Sequence, residues 1–87
     1  MADGLYPTPT RLALLADVED RAVFWVSQRS GSYARNQSTG RRVTADVREV
    51  ERVGWVRLGV PNAAGFPLYE LTDEGRKVLA ENEEKTR

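Results

Sequence analysis

Seven arginines, Arg29, Arg35, Arg41, Arg42, Arg48, Arg52 and Arg57, fall in the middle third of the chain. Only Asp46, Glu49 and Glu51 oppose them there. Arginine presents a planar fork that meets phosphate or guanine with two parallel hydrogen bonds, whereas lysine acts more as a point charge. Between residues 27 and 40 the arginines are interleaved with Ser30, Ser32, Tyr33, Asn36 and Gln37. These are hydroxyl and amide donors of the kind that grip phosphates. Both flanking thirds are net acidic, and the whole chain has a formal charge of zero. A near-neutral protein holds a polyanion weakly unless specific contacts, or several copies acting together, add to the binding.

Other chemistries find no residues to carry them. The chain has no cysteine and no histidine, which excludes thiol chemistry, disulfides, Cys/His zinc sites and histidine catalysis. Ser38-Thr39-Gly40-Arg41 lacks the lysine of a phosphate-binding loop, and no Gly-x-Gly-x-x-Gly occurs. The acidic pairs Glu19/Asp20, Asp73/Glu74 and Glu83/Glu84 fall at expected helix ends and in the tail. Carboxylates at such positions offset helix dipoles or face solvent. The sequence therefore reads as that of a binding protein, with no catalytic residue, no metal and no cofactor expected.

Eighty-seven residues suffice for one small domain near the lower end of sizes that fold alone. With 40% hydrophobic and 30% charged residues the chain reads as soluble and globular. No signal peptide and no membrane span is visible, and a cysteine-free small domain suits a reducing compartment. The expected location is cytoplasmic, with no membrane partner.

The elements that must position the arginines follow from hydropathy and punctuation. Residues 1–7 read as a lead-in, 8–80 as the domain and 81–87 as a charged tail that frays. Thr8-Pro9 is a cap followed by a first-turn proline, and Leu12, Leu15 and Ala16 share a face, so a helix is expected over 9–19. The apolar run Ala22–Val26 suits a buried strand. Residues 27–40 are polar, contain two glycines and show no apolar period, so a long loop is expected. Val43, Val47 and Val50 form one helical stripe over 41–53, with Ser38 or Thr39 as cap and Gly54 one residue past the end. On its opposite side Arg41, Thr44, Arg48 and Arg52 recur at helical spacing. A hairpin follows over 55–71, where Pro67 suits an edge or the first residue of a strand. Thr72 caps a final helix with Asp73 and Glu74 in its first turn. Trp25 and Trp55 are expected in the core. Tyr33 is the aromatic best placed for an exposed contact.

Two stretches carry a resemblance. Val43-Thr44-Ala45-Asp46-Val47-Arg48-Glu49-Val50-Glu51-Arg52-Val53-Gly54-Trp55-Val56-Arg57 resembles the recognition helix of winged helix-turn-helix regulators, running at once into a first wing strand. Tyr69-Glu70-Leu71-Thr72-Asp73-Glu74-Gly75-Arg76 is similar to the MarR-like segment in which the second wing strand meets "L-T-x-x-G-R" and a closing helix. The matches span residues 43–79, in the family's order and with a wing-length hairpin between. Two departures stand out. The polar stretch 27–40 occupies the place of the family's second helix, and the terminal helices are too short for MarR-like dimerisation.

The resemblance implies an α+β winged helix-turn-helix fold: helix, strand, loop, recognition helix, β-hairpin wing, C-terminal helix. It further implies sequence-specific binding of double-stranded DNA by a transcription regulator, with helix 41–53 in the major groove. The expected DNA-binding residues are Arg41, Arg42, Thr44, Arg48 and Arg52 from that helix, Arg57 from the wing, and Arg29, Tyr33, Arg35 and Asn36 from the loop. Two alternatives stay open: a winged-helix protein-contact module, and an architectural DNA-binding accessory factor in recombination. A homodimer and a protein partner also stay open. For Arg48 and Arg52 the competing explanation is surface pairing with Glu49, Glu51 or Glu74.

Overall fold

The computed structural model describes residues 5–86, with side chains described as far as residue 82. In chain order the elements are α1 (Pro9–Glu19), β1 (Val23–Gln28), β2 (Gly31–Asn36), β3 (Arg41–Arg42), α2 (Thr44–Arg52), β4 (Val56–Pro61), β5 (Pro67–Leu71) and α3 (Asp73–Thr86). The fold is α+β. Its strands form one antiparallel sheet in the order β3-β2-β1-β5-β4. The three helices and one sheet face enclose the core, built from Leu14, Leu15 and Val18 of α1, Val47 and Val50 of α2, and Leu79 of α3. Val23, Ala34, Val56, Tyr69 and Leu71 supply the sheet side. No helix among the described residues is long and apolar enough to cross a membrane.

α1 starts as its sequence dictates. The Thr8 hydroxyl accepts from the Arg11 amide, and Pro9 takes a first-turn position where its missing N–H is no loss. Residues 5–7, read as lead-in, take part in the fold. Leu5 packs against the core, and the Tyr6 carbonyl accepts from the Thr8 amide and the Arg11 guanidinium.

The segment 27–40 is not a loop. It completes β1, turns at Arg29-Ser30 and returns as β2, in full register from Gln28↔Gly31 to Val23↔Asn36. A four-residue turn ending at Gly40 then leads into the two-residue β3. The period of two was hidden because the core-facing members of β2 are Ala34 and Asn36, one small and one polar. Asn36 is 3% exposed. Its amide donates to the Asp17 carboxylate of α1 at 2.8 Å, and its carbonyl oxygen accepts from the Ser38 amide at 2.9 Å. A buried polar side chain with both ends satisfied is a structural cross-brace.

α2 is shorter than expected, Thr44–Arg52 in place of 41–53. Arg41 and Arg42 pair with Asn36 and Arg35 as strand residues and so cannot belong to the helix. Neither Ser38 nor Thr39 caps it. The cap position is Val43, which offers no side-chain acceptor, and the Thr39 hydroxyl accepts from the Arg41 amide instead. At the far end Gly54 takes φ +85°, and the Trp55 amide closes the helix on the Val50 carbonyl.

The β4–β5 hairpin runs antiparallel from Val56↔Leu71 to Pro61↔Pro67 with an irregularity between Leu58 and Pro61. Pro67 is the first residue of β5, where a missing donor is tolerated. Thr72 caps α3 by accepting from the Gly75 amide. Its own amide donates to the Trp55 carbonyl, and its hydroxyl donates to the Gly54 carbonyl. Gly75 belongs here for a steric reason: a methyl group at this position would overlap the Trp55 carbonyl oxygen. α3 then runs to Thr86, through the stretch expected as a fraying tail.

Candidate functional site

α2 places its side chains by the helical step of about 100° per residue. Val47 and Val50 are fully buried, and Val43 and Val53 pack against the core from its two ends. The direction opposite this stripe is held by Ala45, Arg48 and Arg52, all exposed. Thr44 leaves that face: its hydroxyl accepts from the Ala34 amide at 3.0 Å and fastens the first turn to β2. Ala45, absent from the sequence expectation, takes its place. It lies three residues before Arg48 and seven before Arg52, so the same helical count that selects the arginines also selects it.

One acidic residue of α2 is held by a neighbouring helix. Glu49 accepts from the Arg11 Nε of α1 at 2.9 Å. That hydrogen bond, helped by the charges of Arg11 and then Arg52, lowers the Glu49 pKa below the usual carboxylate range. The same bond raises Arg11 above its ordinary value. The Tyr69 phenol on the neighbouring strand is pushed up first by burial and then by the Glu51 charge, with Arg48 opposing. Among the described residues no carboxylate lies within ion-pair distance of Arg48 or Arg52. Two exposed cations beside a small alanine, with Glu49 bound by Arg11, form a convex surface suited to anionic groups in a groove.

The remaining candidates separate into groups. Arg41 shares the row of Asn36, which faces the core, so Arg41 lies on the helix side of the sheet. Arg42 shares the row of Arg35, on the opposite face, with Tyr33 two residues before Arg35 on the same strand. The Arg42 guanidinium lies 4.2 Å from the centre of the Tyr33 ring. Arg29 occupies the β1–β2 turn. Arg57 is exposed on β4 but already paired, its Nε and Nη2 each 2.9 Å from Glu70 Oε1. Asn36 must be removed from the set, since its buried amide is committed to Asp17 and Ser38. Trp55 is core, and Trp25 is half-buried against it.

Among the described residues no three potential ligands from His, Cys, Asp and Glu come together as a metal site. Comparison with family models, with curated proteins and with solved structures returns no match.

Proposed function

We propose that this protein binds double-stranded DNA sequence-specifically as a small winged-helix regulator, with α2 lying in the major groove and the β4–β5 hairpin as its wing. One observation carries the reading: the outward stripe Ala45, Arg48, Arg52, with no carboxylate within ion-pair distance of either arginine among the described residues and Glu49 bound by Arg11. A helix fits the major groove, where arginine reads guanine O6 and N7, and alanine meets the thymine methyl. The element order gives further support. A first strand beside the last strand of a hairpin, with a helix immediately before that hairpin, is the arrangement expected of a winged helix, and β1-β5-β4 with α2 follows it. The hairpin β2 and the short β3 stand where such proteins carry a second helix. Arg41 lies next to the start of α2 and is assigned a phosphate contact. Arg57 contributes less, since Glu70 neutralises it.

Selection from a randomised duplex pool, followed by fluorescence anisotropy over a salt series, tests the reading. A single enriched site and a log–log salt slope of about −3 to −5 are expected for roughly four to five phosphate contacts. An Arg48→Ala, Arg52→Ala double variant that folds and still binds the selected site unchanged would falsify the placement of α2.

A second reading, a protein-contact module, is favoured by Leu58 and Val60, 43% and 72% exposed on the edge strand β4. An unpaired edge with apolar side chains is a template for another chain. Absence of duplex binding even at low salt would move the reading there.

A further inference from the structure

The sheet face turned away from the helices forms a second surface, independent of α2. One row crosses four strands: Arg42 on β3, Arg35 on β2, Phe24 on β1 and Leu68 on β5. In the next row Tyr33 stands opposite Val26. The β4–β5 turn folds over this face, and Phe66 stacks on Phe24 with ring centroids 5.7 Å apart. Between the turn and the strands lies an open depression of about 390 Å³, with Tyr33, Arg35, Phe66, Gln28 and Gln37 in its lining.

The charges on this face say what fits there. Arg35 and Arg42 are direct cross-strand neighbours, an arrangement of like charges that weakens a sheet. Among the described residues no carboxylate lies within ion-pair distance of either, and the acid of the β4–β5 part of this face, Glu70, is taken by Arg57. Two adjacent arginines without counter-charge call for an anionic partner. The aromatic rings specify it further. A guanidinium lying on a tyrosine ring offers a flat cationic plane, and bases stack on both arginine planes and aromatic rings. A duplex hides its base faces within the stack, whereas an unpaired strand presents bases and phosphates side by side.

We infer that this face binds single-stranded nucleic acid, with Arg35 and Arg42 holding phosphates and Tyr33, capped by Arg42, and Phe66 stacking against bases. The proposal does not depend on the duplex reading, because the two sites lie on opposite sides of the sheet.

Fluorescence anisotropy at low salt tests it, with labelled oligothymidylate and oligouridylate of about twelve nucleotides, a length within the range spanned by single-strand binding modules. A duplex selected with the wild-type chain, or a random duplex if none is enriched, serves as the comparison. An Arg35→Ala, Arg42→Ala double variant is expected to lose about tenfold or more in single-strand affinity, and Tyr33→Ala a similar factor, with Tyr33→Phe retaining it. Neither change moves duplex binding, and Arg48→Ala, Arg52→Ala leaves single-strand binding in place. Circular dichroism confirms that each variant is folded, and the arginine pair, being exposed, keeps the test valid if Tyr33→Ala is not. Equal affinity for both oligonucleotides assigns the shared chemistry, and a preference for one assigns the source as DNA or RNA. No binding of either oligonucleotide, or binding that follows Arg48 and Arg52 in place of Arg35 and Arg42, overturns the proposal.

Discussion

Glu49 of α2 is bound by Arg11 of α1 at 2.9 Å, across 38 residues of sequence, and not by the arginines beside it on its own helix. The pair has two effects. It ties α1 to α2, and it keeps a carboxylate away from the stripe that Arg48 and Arg52 present. Arg11→Ala is therefore expected to weaken duplex binding although Arg11 lies off that stripe. The freed Glu49 can then reach Arg52, three residues on, and compete with DNA for it. The loss should be a few-fold, the scale of a surface ion pair. Adding Glu49→Ala to Arg11→Ala should restore affinity. Anisotropy with the selected duplex checks both variants.

The same pair makes stability depend on pH in a defined direction. The folded chain favours charged Glu49, so its pKa is lower folded than unfolded. Over the interval between those two values the unfolded state binds more protons, and stability falls as pH falls. The contribution of the pair is fully present above the ordinary glutamate pKa and is lost as pH drops through the folded value. Melting temperatures measured from about pH 6 to about pH 3 should show a shallower decline in Glu49→Gln than in the wild type. An identical decline in both would remove this role from the pair.

Asn36 separates fold from function. Asn36→Ala removes a buried amide together with its two part-buried hydrogen bonds, to the Asp17 carboxylate and from the Ser38 amide. Removal of one side of a buried hydrogen-bonded group costs about 1–3 kcal/mol. Urea unfolding should show that loss, while nucleic-acid affinity per folded molecule stays unchanged. A variant of wild-type stability with reduced affinity would return Asn36 to the interface.

What the sequence made legible depended on whether one residue sufficed to state its own environment. Thr8-Pro9, Gly54 and Thr72 did so: the two starts lie where they were placed, and the end that Gly54 marks lies one residue earlier, at Arg52. Val47 and Val50 are core for the reason their spacing gave. β2 was not legible, because its inward face is Ala34 and Asn36, and Asn36 declares itself buried only once Asp17 is beside it. Arg41 matched the helical count that reaches Arg48, and Arg42 fell within the same expected helix, yet β2 offered both backbone partners and took them into the sheet. Of the expected stripe, Arg48 and Arg52 remain exposed on α2. The pairing of Arg35 with Arg42 required a register that no local pattern encodes.

Gly75 holds the start of α3 against the end of α2. The Thr72 amide and hydroxyl bind Trp55 and Gly54, and the missing side chain of Gly75 lets the Trp55 carbonyl approach. Alanine there must push backbone against backbone, since the obstacle is not a flexible side chain. Overpacking of this kind costs about 1–3 kcal/mol or more, against a gain of up to about 1 kcal/mol from better helix propensity. Gly75→Ala is expected to be destabilising in urea unfolding, and a more stable variant would show that the α3 start does not pack as described.

Arg21 and Gly54 occupy the same position in two helix endings and make opposite predictions. At the end of α1 the Ala22 amide donates to the Asp17 carbonyl and the Arg21 amide to the Val18 carbonyl. At the end of α2 the Trp55 amide donates to Val50 and the Gly54 amide to Glu51. Both motifs need a left-handed residue, and Arg21 supplies it with φ +62° where α2 uses glycine. The left-handed conformation costs an L-residue about 1–2 kcal/mol, and glycine loses about 0.5–1 kcal/mol more backbone freedom on folding. The difference favours Arg21→Gly by about 0.5–1 kcal/mol, a rise of a few degrees in melting temperature for a domain of this size. Gly54→Ala places the strain where none exists now and should lower the melting temperature by a similar amount. If Arg21→Gly instead lowers it, the Arg21 side chain makes a contribution larger than its backbone strain.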